Sequence, residues 1–122
     1  MVILQGDVFW VNFPPPSGSG PGFRHPQVVI QNNLLNRSAI HTILVCGVTS
    51  NLALASAHGN VLLYRGEGNL PKRSVVNVSQ VATVDKTDFG DKIGTLTRDR
   101  VRAILDGLRL ITEPQESIHQ PS

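Results

Sequence analysis

Followed by the period of its apolar residues, the chain is a series of short strand-like runs and then one helix-like stripe. Residues 6–13, "GDVFWVNF", mix β-branched and aromatic side chains after a glycine, which predicts a strand. The prolines and glycines of "PPPSGSGPG", residues 14–22, cannot continue as helix and predict a loop, either disordered or a flap over a ligand. Residues 27–31 predict a second strand, too apolar to be an edge exposed on both faces. A polar connection over 32–40 leads to a third strand at 41–49, "HTILVCGVT", whose glycine marks a bulge or a close backbone approach. The alanine-rich stretch 51–59 has room for a short helical turn before "NVLLY", a fourth strand. "RGEGNLPKR" is a second glycine- and proline-punctuated loop, with three cations around one glutamate. "SVVNVSQVATVD" alternates as one strand, or as two broken by a bend, and "DKIGTL" closes the sheet.

The one strong helical pattern follows. Thr97 is its N-cap, and Val101, Ile104, Leu105, Leu108 and Ile111 form one apolar stripe at i, i+3, i+4 spacing. Pro114 marks the stop, and "EPQESIHQPS" is a polar tail expected to fray. The expected organisation is one domain over residues 1–112 with a polar, disordered tail over 113–122. Its class is mainly antiparallel β with a C-terminal α-helix packed on the sheet.

Composition narrows the partners only a little. A chain of 122 residues suits one domain and buries enough surface for a core without covalent staples. The single cysteine, Cys46, excludes an intramolecular disulfide and a cysteine-based zinc site; within "TILVCGV" it reads as a small buried apolar residue. His41, His58 and His119 have no ligand spacing with one another or with carboxylates, so no metal and no cofactor is expected. Neither a signal peptide nor a membrane span is visible, which points to a cytoplasmic protein that makes no use of a membrane. The net charge of +2 permits nucleic-acid binding without requiring it, and eight of the eleven basic residues are arginine, the side chain suited to bidentate phosphate contacts.

Candidate chemistry gathers at "FRHPQVVIQNN", residues 23–33, where the proline- and glycine-rich loop meets a buried strand and carries the cationic pair Arg24 and His25. In order along the chain stand "GDVFWVNF", a glycine- and proline-rich loop ending in Arg-x-Pro, "VVIQN", an apolar strand ending "VTSN", then "SVVNVSQVATVDK" and "DKIGTL" before the helix. Together these segments resemble the MazF/PemK (Kid) family of toxin–antitoxin ribonucleases, over most of residues 6–111. The resemblance implies a compact SH3-like antiparallel β-barrel of the CcdB/PemK kind, a homodimer, and cleavage of single-stranded RNA, with mRNA first and tRNA or rRNA as alternatives. It also implies an antitoxin whose disordered C-terminal segment occupies the same groove. The family's catalytic arginine falls on Arg24 and its catalytic threonine on Thr49, while Gln80 falls on a substrate-contacting position. There are two departures. His25 stands between Arg24 and Pro26 where the family commonly has Arg-Pro, and Gly20 takes the place of a loop glutamate.

RNA carries its own nucleophile, the 2′-hydroxyl beside the scissile phosphate, so the enzyme's work is to orient the attack, stabilise charge and move protons. On this reading Arg24 clamps phosphoryl oxygens and Thr49 donates its hydroxyl to another. The products would be a 2′,3′-cyclic phosphate and a 5′-hydroxyl end. Because a guanidinium stays protonated, His25 is a candidate acid or base; its alternative is to pack or to stack a base. Ser19 in the loop, Ser50 and Asn51 after Thr49, Lys72 and Arg73 in the second loop, and Gln80 are the candidate RNA contacts. The alternative for Arg24 is a surface ion pair, for instance with Asp7; for Lys72 and Arg73, a solvated loop; for Gln80, satisfying neighbouring backbone. Two other functions compete. A CcdB-like gyrase inhibitor would need a terminal Trp-Gly-Ile, whereas this chain ends "HQPS" and has its one tryptophan at Trp10. An inactive SH3-like binding module is the other.

Overall fold

A computed structural model describes residues 1–15 and 22–115; Ser19, Gly20 and the tail from 116 lie outside the described residues. Its elements are β1 (Asp7–Phe13), β2 (Phe23–Val29), α1 (Asn33–Asn36), β3 (Thr42–Thr49), β4 (Val61–Leu63), β5 (Ser74–Asp85), β6 (Phe89–Thr95) and α2 (Arg98–Thr112). The strands form one six-stranded antiparallel sheet in the order β4-β5-β3-β2-β1-β6, curled into a half-barrel. This is the mainly β class with a C-terminal helix that the apolar periods predict.

Alternation explains why the inner strands are apolar without a break. Val8, Val28, Cys46, Val48 and Val76 turn to one face and pack with Ile104 of α2. Phe9, Val11, Val29, Ile43 and Val45 turn to the other and pack around Phe89. Both faces are buried, so both parities of each strand carry apolar side chains. The expected bend in the long strand is a register shift within one continuous β5: Gly47 pairs Asn77 while Cys46 pairs Val81, leaving residues 78–80 without a partner on β3, with Val78 buried in the core and Ser79 and Gln80 exposed.

Two expectations need correction. β2 begins at Phe23, four residues before the expected start, because Phe23 pairs Phe13 of β1 and their rings stack with centroids 5.2 Å apart. The stripe of α2 is buried only through Leu108, for Ile111 is 41% exposed. What brings the helix closest is a glycine: a Cβ on Gly107 would collide with the carbonyl oxygen of Gly59, itself at φ +81°. The N-cap is as expected, with Thr97 Oγ1 accepting from Arg100 N at 3.3 Å. Arg100 also ties α2 to the turn at Glu67–Asn69: its Nε and Nη2 donate to the Glu67 carboxylate at 2.7 and 3.0 Å. That side-chain bond holds the Glu67 carboxyl below its ordinary range. No described helix is long and apolar enough to cross a membrane.

Two predictions follow from this packing. Gly107→Ala should destabilise the fold by roughly 1–3 kcal/mol through overpacking, although alanine favours an exposed helix interior by about 1 kcal/mol. A thermal melt showing the variant at or above the wild-type Tm would contradict the close Gly59–Gly107 contact. Cys46 is fully buried and burial pushes its thiol up to about 11. Because the thiolate is the reactive form, Cys46 should resist alkylation at pH near 8 in the native protein and react at once in denaturant, as followed by mass spectrometry.

Candidate active site

The site is a fork between two inner strands. Gly6 N–H donates to the Val29 carbonyl and Ile30 N–H to the Leu44 carbonyl, so odd-numbered residues of β2 turn their backbone groups toward β1 and even-numbered ones toward β3. Pro26 is even-numbered. Its nitrogen faces β3 with no hydrogen to donate, and pairing of β2 with β3 is confined to Gln27↔Gly47, Val28↔Cys46 and Val29↔Val45. β1 still pairs β2 down to Phe13↔Phe23, so β2 stays in the sheet while its β3 side opens. Continuing the same register would set Pro26 against Val48 and His25 against Thr49. Those last two residues form the lips of the opening.

Two clefts meet at these lips. One, of about 310 Å³, is lined by Phe13, Phe23, His25, Gln27, Thr49 and Gln80 among others. The second, of about 280 Å³, includes Trp10, His25, Pro26, Thr49, Ser50 and Lys72. His25 and Thr49 line both. Among the described residues no carboxylate lines either, and the charged or titratable groups at the clefts are His25 and Lys72.

The bonding at the lips is specific. His25 Nδ1 lies 3.2 Å from the carbonyl oxygen of Pro26. The same nitrogen lies 3.2 Å from Nε2 of the Gln27 side-chain amide, which is buried. Phe23 meets the imidazole edge-on, with centroids 6.5 Å apart. Across the fork, Asn51 N–H donates to Thr49 Oγ1 at 3.1 Å, which occupies a lone pair and leaves the hydroxyl hydrogen free to donate.

The predicted residues divide. Thr49, His25, Gln80, Ser50 and Lys72 are brought to the two clefts. Arg24 is not brought to Thr49: it lines neither cleft, and its guanidinium lies over the Trp10 ring, 4.8 Å from the centroid. The Asp7 alternative fails as well, because that buried carboxylate is taken by Lys92 Nζ at 3.2 Å, Thr95 Oγ1 at 2.8 Å and Leu4 N–H at 3.0 Å. Asn51 caps the short 3-10 turn Leu52–Ser56, its side chain accepting from Ala53 N–H. Arg73 turns to Tyr64, 5.8 Å from that ring, on the side of Arg100. Ser19 lies outside the described residues.

Gln27 and Trp10 are site residues that the sequence reading passed over. Gln27 was legible in principle: it stands two residues after His25, hence on the same face of a strand, and is the one polar residue at the start of an apolar run.

Comparison with known proteins follows from this geometry. Residues 4–112 match the family model for the PemK-like, MazF-like toxin of type II toxin–antitoxin systems. The chain is 39% identical over 113 residues to endoribonuclease MazF2 of Mycobacterium bovis, covering 93% of this chain and 99% of that protein. Endoribonuclease MazF6 of Mycobacterium tuberculosis matches with the same identity and coverage. Among solved structures, MazE–MazF from Deinococcus radiodurans aligns with a TM-score of 0.74 at 21% identity, covering 91% of this chain and 96% of that one. A mycobacterial endoribonuclease in complex with its cognate antitoxin aligns with a TM-score of 0.69 at 21% identity, over 93% and 98%.

Proposed function

The chain belongs to the PemK-like, MazF-like toxins of type II toxin–antitoxin systems and is an endoribonuclease, and from that premise we propose that it cuts single-stranded RNA at the fork between β2 and β3. The reaction is attack of the 2′-hydroxyl on the adjacent phosphate, giving 2′,3′-cyclic phosphate and 5′-hydroxyl ends without a metal ion. The observation that carries this reading is the pair of clefts meeting at His25 and Thr49, with hydroxyl, imidazole and ammonium groups around one opening and no carboxylate among the described residues that line it. Such an opening suits a polyanion.

Thr49 is suited to donate its hydroxyl to a phosphoryl oxygen, because Asn51 holds the oxygen from the other side. Lys72, exposed at the second cleft, tracks the strand's phosphates. Gln80 reads a base edge in the first, where splayed single-stranded bases present their hydrogen-bonding groups. Arg24 adds positive potential from the far side of Trp10. Relatives solved with MazE or a cognate antitoxin support a second occupant of this groove, the disordered C-terminal segment of an antitoxin that silences a cytoplasmic, homodimeric toxin. The gyrase-binding alternative gains nothing from Trp10, which is half-buried in β1 beneath Arg24.

Purified protein in EDTA should cleave single-stranded RNA and spare the same RNA carrying one 2′-deoxy nucleotide at the cut site. Cleavage of the deoxy substrate, or dependence on added divalent metal, would contradict the reaction. Lys72→Ala should weaken RNA binding and flatten its dependence on log salt by about 0.7, the share of one phosphate contact on a single strand. An unchanged slope in a fluorescence-anisotropy titration would remove Lys72 from the RNA path.

A further inference from the structure

Proton transfer needs a group that gains and loses a proton under working conditions, and Arg24 does not qualify, since a guanidinium stays protonated in proteins. Its place also tells against it: Arg24 lines neither cleft and stacks on Trp10. His25 has both the chemistry and the position. It faces Thr49 in the extended register of the fork and lines both clefts with it. Its two hydrogen-bonding contacts use the same nitrogen, Nδ1, so Nε2 is the nitrogen that can meet a substrate. The two contacts ask for opposite tautomers, since the Pro26 carbonyl takes a hydrogen from Nδ1 whereas Gln27 Nε2 would give one to it; the hydrogen on Nδ1 that leaves a lone pair on Nε2 is part of the proposal. With that hydrogen in place, the Gln27 amide would have to turn so that its oxygen rather than its Nε2 meets Nδ1.

We propose that His25, not Arg24, is the proton-transferring catalytic residue of the cleavage reaction, working through Nε2. The inference rests on the endoribonuclease reading above. Nε2 takes the proton of the 2′-hydroxyl as the O2′–P bond forms. The P–O5′ bond breaks, and the imidazolium returns that proton through solvent to the departing O5′. Nothing is oxidised or reduced, and no further reactant is consumed. Thr49, across the fork, binds a phosphoryl oxygen as charge builds on it. Among the described residues, the charged side chain that shares a cleft with the imidazole from another element is Lys72, on the loop before β5; Arg24, its chain neighbour, lies over Trp10; no described Asp or Glu lines either cleft.

The test compares wild type, His25→Gln and Arg24→Ala for kcat and KM on one cleavable RNA from about pH 5 to 9, the range that spans imidazole titration. Circular dichroism and melting temperature verify that each variant folds. Wild-type kcat should rise with pH and level off. His25→Gln should lose roughly 10²–10⁴-fold in kcat, keep KM within a few-fold and lose the rising limb. Arg24→Ala should keep that limb. A His25→Gln protein that cuts near the wild-type rate, or that retains the limb, overturns the assignment while leaving the endoribonuclease reading intact. A wild-type protein that cuts no RNA removes both. The wild-type protein supplies a second readout that needs no variant: an RNA with 2′-deoxy at the cut site should shift the NMR signals of the His25 ring on binding, and an unmoved ring would also overturn the proposal.

Discussion

Pro26 sits on an inner strand without the amide hydrogen that such a strand gives to its neighbour, and much of the site follows from that one missing donor. With β1 on one side the ladder runs on to Phe13↔Phe23; with β3 on the other it ends at Gln27↔Gly47. A central strand that lets go of one neighbour opens the sheet from within. His25 Nδ1 lies 3.2 Å from the carbonyl oxygen of the same proline, so the imidazole sits where the two strands part. Ordinarily a proline argues against a central strand. Here it marks the point at which a central strand becomes a binding edge.

The packed faces of the sheet anchor the two prongs of the fork. Val8, Val28, Cys46 and Val48 bury one face and Phe9, Val11, Val29 and Val45 the other, so both prongs are anchored immediately behind the opening. The bulge in β5 carries Gln80 toward Gly47, where a Cβ would lie 3.3 Å from Gln80 Cβ and 3.8 Å from the Gln27 amide nitrogen. A larger residue there would crowd the floor of the first cleft. Thr49 is fixed by Asn51, and Asn51 in turn by the turn it caps. The clefts thus rest on rigid elements, which is what positioning of a scissile phosphate requires.

Much of the fold was legible from the sequence because it depends on periodicity. Each strand and the terminal helix carries its own apolar pattern, Thr97 its cap and Gly47 its bulge. The early start of β2 was hidden because a glycine- and proline-rich loop precedes it and only the pairing of Phe23 with Phe13 reveals a strand there. The end of the helix stripe misled because a glycine contact, Gly107 on Gly59, has no apolar signature. At the site, sequence neighbours were easy to find and faces were not. Arg24 and His25 are adjacent, so a strand must send them to opposite sides, yet which side meets Thr49 depends on register and on the direction of the Pro26 nitrogen. Both are properties of pairing and neither is local.

The central chemical claim is that the neutral His25 ring carries its hydrogen on Nδ1, toward the Pro26 carbonyl, and leaves Nε2 bare. It is tested most directly by a long-range nitrogen–proton NMR correlation of the imidazole ring in the free protein at a pH where the ring is neutral. The account predicts a hydrogen on Nδ1 and a bare Nε2. A ring protonated on Nε2 instead would contradict it, for the proposed base would then have no lone pair on Nε2 with which to take a proton.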